Sequence, residues 1–377
     1  MNLATYTVLL ISALTRLSTA QSVSGKAEGF AYGVTGGGSA TPQTPSDIDE
    51  LKEWLSDETA RVIVLDKTYD FTESEGNVTG NVCASWGTGS ACQKIIEDAS
   101  SCGSAEALTA TWYKAGTSAL TVASSKTILG SGDSGIIKGK GLQFTKNASN
   151  IIVQNIQVTD LNPEYVWGGD AFLFDGSDLI WIDHVTTART GRQHYTFGFE
   201  TNTRITLSNN WIDGETPYST GCDGHTYWGF EMVGKADQIT LQKNYITKSS
   251  GRSPALSGGT LLHAVNNVWE DNNGHTLEGG DTTAKGIFEG NVWKDVNTII
   301  GDYKGVLFNT PSSSYTSQCQ SALGRACVVN SVSGSGSLTS LTDTSFFSDF
   351  SGLTIAPAVS ASEAQSSVPK SAGSGKI

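Results

Sequence analysis

The strongest constraint on this chain is a short segment that returns six times with its polar and apolar positions in step. Aligned on one polar position, the copies read Ile152-Val153-Gln154-Asn155-Ile156, Trp181-Ile182-Asp183-His184-Val185, Leu207-Ser208-Asn209-Asn210-Trp211, Leu241-Gln242-Lys243-Asn244-Tyr245, Ala264-Val265-Asn266-Asn267-Val268 and Phe288-Glu289-Gly290-Asn291-Val292. The polar column holds Asn155, His184, Asn210, Asn244, Asn267 and Asn291, at intervals of 29, 26, 34, 23 and 24 residues. The positions three before it and one after it are apolar in every copy. An interval of 23 residues is too short for a strand, a crossover helix and a return strand, yet it fits one turn of a coil made of three short strands. The repeat therefore predicts an all-β chain, a right-handed parallel β-helix with long loops forming a cleft. Stacked coils put like residues over like, so the polar column becomes an amide ladder. His184 lies in that column and reads as a hydrogen-bonded interior residue rather than a catalytic one.

The flanks organise around this solenoid. Residues 46–56 read as an amphipathic helix, with Ser46 and Asp49 as a capping box and Ile48, Leu51 and Leu55 on one face. Such a helix covers the open end of the first coil, which otherwise exposes unpaired backbone. Residues 61–71 supply the first strand beyond it. The coil domain is expected to span 21–356, and 357–377, rich in Ser, Ala and Gly, to be a loosely held tail. Residues 1–20 hold an apolar run ending in Ser18-Thr19-Ala20, the pattern of a secretory signal peptide. That run falls well short of the ~20 residues that span a bilayer, and no other segment is long enough, so no membrane partner is expected.

Charge excludes another class. Lys and Arg number 24 against 37 Asp and Glu, a net charge of −13; nucleic acid, which needs a basic face, is not an expected partner. A polyanionic polysaccharide would be repelled at long range. The six cysteines are even in number, and none sits in a CxxC pair, so in a secreted, extracellular chain they read as disulfides. The short interval from Cys319 to Cys327 suggests a local clasp, leaving Cys83, Cys92, Cys102 and Cys222 to pair among themselves. Asn77-Val78-Thr79 and Asn147-Ala148-Ser149 are candidate glycosylation sites at Asn77 and Asn147. Gly130 to Gly135 matches a GxGxxG pattern, but the chain runs on as strand with no helix opening there, so it carries no phosphate site. Gly132-Asp133-Ser134-Gly135 is also similar to a trypsin-like nucleophile segment; that chemistry needs a preceding histidine, and the first of the five is His184.

Three stretches combine charge and rings in a way a plain coil does not need: Tyr165-Val166-Trp167-Gly168-Gly169-Asp170-Ala171, Ala188-Arg189-Thr190-Gly191-Arg192-Gln193-His194-Tyr195 and Ser250-Gly251-Arg252-Ser253-Pro254. Coils stack about 4.8 Å apart, so Asp170, Arg192 and Arg252 can meet on one outer face. Together with Trp181-Ile182-Asp183-His184-Val185 and Cys222-Asp223-Gly224-His225-Thr226-Tyr227-Trp228, these stretches resemble the fungal pectin lyases of the pectate lyase superfamily, from about residue 22 to residue 350. The resemblance implies a secreted, monomeric β-helix that cleaves methyl-esterified polygalacturonate (pectin) by β-elimination, without metal or cofactor. It pairs Cys83 with Cys102, Cys92 with Cys222 and Cys319 with Cys327. It places the catalytic arginine at Arg252, its supporting residues at Asp170 and Arg192, and substrate-cleft rings at Trp86, Trp167, Tyr227 and Trp228. Two departures stand out: Ser101 where family members often carry Trp, and Glu231 where they carry an aromatic.

The chemistry agrees. Elimination removes the proton on C5 and expels the glycosidic oxygen at C4, with charge developing on the C6 carbonyl oxygen. A free carboxylate there piles charge on charge, which the calcium-dependent pectate lyases relieve with the ion; a methyl ester is already neutral. Arg192 puts a cation where calcium would need carboxylates, which favours the ester and no metal. A guanidinium is a poor proton acceptor, so Arg252 reads as the base by resemblance and as an enolate stabiliser on its own chemistry. A hydrolase would need paired carboxylates; Asp170 and Asp175 are present, but none stands in the segment around Arg252. Trp181 and Trp211 are expected in the core, and Trp86 fits either a cleft wall or loop packing. The competing readings are a calcium-dependent pectate lyase and a non-catalytic wall-binding β-helix.

Overall fold

The computed structural model describes residues 21–338 and 341–377; the signal-peptide reading of 1–20 lies outside the described residues. Most of the chain winds into a parallel β-helix whose 23 strands join in one continuous, entirely parallel network. A coil has three stretches of strand, two of which run together in some turns, as in Leu142–Gln154, Phe172–Asp183 and Val292–Tyr303. One line of stacked strands runs through Arg61–Leu65, Lys126–Gly130, Asn202–Ser208, Gln238–Gln242 and Leu261–Val265. A second, after a bend, runs through Gln157–Leu161, Thr186–Thr190, Trp211–Asp213 and Tyr245–Ser249. The third floors a cleft and includes Tyr195–Phe197, Phe230–Met232 and Ala255–Leu256.

Strand side chains alternate between faces, and the cleft floor shows why its sequence folds this way. Phe172, Tyr195 and Phe230 stack inward with ring centroids 5.1 and 5.2 Å apart, and Phe174 on Phe197 at 4.6 Å, all fully buried. Between them Thr196 and Glu231 point outward in register. Stacked rings add about 0.5–1.5 kcal/mol per pair beyond their burial, so the floor beneath the outward residues is stiff.

The amide ladder exists, but one position away from where the repeat places it in the first coils. Backbone register pairs Gln154 with Asp183, Asp183 with Ser208 and Ser208 with Gln242, which makes Asn155 and His184 equivalent to Asn209 and Lys243. All four adopt positive φ at the bend, between 50° and 61°. The ladder position proper holds Ile156 and Val185, both fully buried, before Asn210 begins the amide run. Asn210 donates to Asn244, Asn244 to Asn267 and Asn267 to Asn291, at 2.9–3.1 Å, and Asn330 extends the run by accepting from the Asn291 N–H. His184 is not a rung; its ring bonds Asp183 at 2.7 Å. The two tryptophans expected in the core divide. Trp181 is buried outside the coil, against Ala27, Ala31 and Ile152. Trp211 is only half-buried, beside Tyr245, and donates to Thr247. Trp181 is thus core as expected, in a cluster on the outer side of the coil, and Trp211 is not.

The N-terminal helix forms as Ile48–Ser56 with Leu51 and Leu55 fully buried over the first coil. Its cap is Asp47 rather than Ser46: the Asp47 carboxylate accepts the N–H groups of Asp49 and Glu50, and Glu50 accepts from the Ser46 N–H. The 357–377 segment is not loosely held. Ser360 caps a helix, Ala361–Ser371, whose Ala361, Ala364 and Val368, with Ala372 just beyond it, pack on Val268 and Val292, and Gly375 then bonds the Asn155 side chain. Disulfides join Cys83 to Cys102, Cys92 to Cys222 and Cys319 to Cys327. Asn77 and Asn147 are exposed.

Candidate active site

The cleft is built from two adjoining columns. The outward column of the floor runs Gln143, Leu173, Thr196, Glu231, Ala255 and Glu278 in strict register. Three residues before its members, where each coil turns onto the floor, stand Asp170, Gln193, Trp228, Arg252 and His275. Arg192 precedes Gln193 and is anchored by its N–H on the Gly169 carbonyl. Residues 60 and more apart in sequence thus become neighbours.

Glu231 is the hub. Its Oε2 accepts from Arg192 Nη2 at 2.6 Å, Gln193 Nε2 at 2.8 Å and Arg252 Nη1 at 2.8 Å. Arg252 Nε lies 3.3 Å from Glu278 Oε1. The Glu278 Oε2 in turn accepts from the Tyr227 hydroxyl at 2.7 Å and contacts His275 Nε2. Burial works to raise Glu278, but the His275 and Tyr227 bonds and the Arg252 charge outweigh it and hold the carboxyl below its usual range. Burial, with Glu278 beside it, pushes the Tyr227 hydroxyl up to about 12. Asp170 faces the other way: it accepts the Gln193 N–H at 2.9 Å and the Thr196 hydroxyl at 2.7 Å. Burial raises it above the ordinary carboxylate range, with Thr196, Arg192 and Gln193 opposing.

The rings divide into two kinds. Trp167 is 53% exposed and lies 4.2 Å below the Arg192 guanidinium. Trp228 is buried under both arginines, 5.8 Å from Arg192 and 5.1 Å from Arg252, and its Nε1 donates to Gln93. Tyr227 is half-buried, 5.8 Å from Arg252. A Cβ on residue 251 would sit 2.3 Å from that ring, so Gly251 is what lets Tyr227 tuck beside Arg252. Trp86, half-buried, stands edge-on to Trp228 at 6.3 Å. Cation–π contacts of this kind are worth about 0.5–2 kcal/mol each, so Trp228 and Tyr227 support the arginines as much as they line the cleft.

Two hollows open at opposite ends of these columns. One, about 440 Å³, is lined by Tyr227, Glu231, Arg252, His275, Glu278 and Asp302. The other, about 370 Å³, is lined by Ser118, Gln143, Trp167, Asp170 and Leu173 among others, with no lysine or arginine.

The structure therefore brings Asp170, Arg192, Arg252, Trp167, Tyr227 and Trp228 to one cleft. Sequence reasoning missed Glu278 and His275, and it met Glu231 only as a departure. Carboxylates do stand around Arg252: Glu231 comes from one coil before it and Glu278 from one coil after, each exchanging bonds with guanidinium groups rather than with the other. The one signal for Glu278 is coil length: it stands 23 residues after Ala255, its neighbour in the column. These carboxylates do not fit a calcium ion. Calcium takes about six to eight oxygens, whereas Glu231 and Glu278 are engaged by cations, and among the described residues no three acidic, His or Cys side chains gather around one point.

The pectate lyase family model matches residues 2–377. A probable pectin lyase A of Aspergillus flavus is 75% identical over 364 residues, covering 97% of this chain and 96% of that protein. Pectin lyase A of Aspergillus niger is 50% identical over 364 residues, covering 96% of each. A pectate lyase bound to a hexasaccharide superposes with a TM-score of 0.61 at 17% identity, covering 96% of this chain and 100% of that one. A pectate lyase from Acidovorax avenae gives 0.60 at 16% identity, covering 98% and 99%. The family model spans the coils, the cleft and the C-terminal helix alike: the chain belongs to the pectate lyase family.

Proposed function

We propose that the protein is a secreted pectin lyase that cleaves methyl-esterified polygalacturonate by β-elimination without a metal ion. The observation that carries this reading is the bonding of Arg192 and Arg252 to one carboxylate, Glu231, between two hollows that offer no other arginine or lysine. Such a cleft suits an uncharged ester. Relatives at 75% and 50% identity that carry the name pectin lyase support it, and three disulfides suit an oxidising compartment.

In this reading the C6 ester carbonyl of one sugar points at the guanidinium groups. Loss of the C5 proton leaves an electron pair that delocalises onto the carbonyl oxygen, where Arg252 N–H groups stabilise the enolate charge. The pair then forms the C4–C5 double bond as the C4–O bond breaks, and the departing oxygen takes a proton. Arg252 is the group at C5. The family resemblance makes it the base; its N–H groups donate to Glu231 and contact Glu278, which suits a donor to the enolate while water accepts the proton. Arg192 holds Glu231 and the ring of Trp167, and Asp170 fixes the Gln193 turn that carries Arg192.

The test is the ultraviolet absorbance of the unsaturated product on highly methylated pectin, with a strong chelator and with added calcium. Product formation unchanged by either is expected. Activity lost to the chelator and restored by calcium points to the calcium-dependent branch, and no product under any condition points to a binding protein.

A further inference from the structure

The outward column of the cleft floor is apolar or neutral at Leu173, Thr196 and Ala255, yet carries Glu231 at its centre. The floor is held by the inward ring stack, and of the two acidic residues in the column, Glu231 and Glu278, only Glu231 bonds both arginines. Its chemistry is specific. One oxygen, Oε2, takes donors from Arg192, Gln193 and Arg252, which is the donor set a substrate carboxylate would seek. We propose that Glu231 acts as a built-in occupant of the arginine pair's anion site and sets the enzyme's preference for esterified over free galacturonate at the reacting sugar. The proposal rests on the pectin lyase reading above.

The charge count shows how. Arg192 and Arg252 supply two positive charges, and Glu231 and Glu278, their partners, supply two negative ones. These four charges cancel before substrate arrives. A sugar whose C6 group is a methyl ester brings a neutral carbonyl that can accept an unshared guanidinium N–H without displacing anything. A sugar whose C6 group is a carboxylate must enter beside Glu231, lying like charge on like charge in a partly dry cleft, or break three hydrogen bonds to expel it. Glu278 is the less suited occupant. It lies farther from its arginine, and its second oxygen is held by Tyr227. Removing the Glu231 charge while keeping its shape leaves the pair with one positive charge to spare and opens the site to an anion.

The experiment compares the wild type with Glu231→Gln and Glu231→Met, each first shown to melt like the wild type. Two quantities are read: the dissociation constant for fully demethylated trigalacturonate, and the ratio of kcat/KM on highly methylated pectin to that on polygalacturonate. Both variants are expected to bind the demethylated trimer on the order of tenfold more tightly and to lower the ratio by a similar factor. A residue that merely held the arginines in place would weaken binding of both substrates and leave the ratio unmoved. A folded variant with wild-type trimer affinity and a wild-type ratio overturns the proposal. A wild-type enzyme that prefers polygalacturonate overturns the pectin lyase reading instead, so the two failures are separable.

Discussion

Two ion clusters in this molecule are made of the same kinds of residue and behave as opposites. In the cleft, Arg192 and Arg252 share a single oxygen of Glu231, and a hollow of about 440 Å³ opens onto Glu231, Arg252 and Glu278. Farther along the coil, Glu289 sits with His263, both fully buried, and every bond it can make is made. Arg325 reaches its two oxygens at 2.6 and 2.8 Å, His263 Nε2 lies at 2.9 Å, and the Val328 N–H donates at 2.9 Å. Arg325 stands two residues from Cys327, whose disulfide with Cys319 closes that loop. Charge alone does not mark a site. What separates the clusters is unspent bonding capacity facing open space, and that difference predicts opposite responses to mutation.

The largest effect should come from the open cluster and fall on catalysis only. Arg252→Ala is expected to lower kcat on methylated pectin by about 10³-fold or more, because the lost bond is strongest in the transition state, while leaving the melting temperature within a few degrees. Arg252→Lys keeps the charge but not the fork, so an active lysine variant would assign Arg252 a purely electrostatic role.

The sealed cluster should respond the other way. Glu289→Gln breaks a buried pair and is expected to cost about 3–5 kcal/mol of stability, read from denaturant midpoints, with kcat of the folded enzyme unchanged. Its pH signature has a definite sign. Burial works to raise Glu289, but the His263 and Arg325 bonds hold it at about 2. A carboxylate depressed in the folded state contributes stability above its unfolded value of about 4.3, lost as pH falls toward 2. Wild type should therefore lose stability steeply between those values, and the Gln variant should lack that part of the slope.

A smaller effect tests the ladder. Asn244→Val should cost about 1–3 kcal/mol, because it leaves the Asn210 amide and the Asn267 carbonyl without a rung. Val185 shows that the position accepts an apolar residue where its neighbours are built for one. A loss as large as that of Glu289→Gln would mean the ladder, not the sealed cluster, anchors the coil.

How far the sequence could be read follows from the same physics. The solenoid was legible because coil length and hydrophobic period repeat, and the clasp from Cys319 to Cys327 because the pair is close in sequence. The ladder was read one residue early in the first two coils. Asn155 and His184 occupy the bend, where a polar residue with positive φ looks like a rung, and a one-residue slip in a strand exchanges inside for outside. Trp211, beside the true rung Asn210, faces outward next to Tyr245 rather than into the core. The C-terminal helix was missed because its buried stripe, Ala361, Ala364 and Val368, with Ala372 just beyond it, is made of small residues that carry little apolar signal. Asp170, Arg192 and Arg252 were found through long motifs. Glu231 and Glu278 were not, because their place depends on register across turns of unequal length, which only the folded coil settles.

Two arginines paired with their own carboxylates make a cleft for an uncharged polymer. The measurement that tests it most directly is kcat/KM across substrates of graded methyl esterification, in the presence of a chelator and at two salt concentrations. Efficiency should rise steadily with esterification, with a penalty on the demethylated end that salt partly relieves, since charges more than about 8 Å apart are screened at physiological ionic strength. Efficiency that is flat, or highest on the fully demethylated polymer, would contradict it.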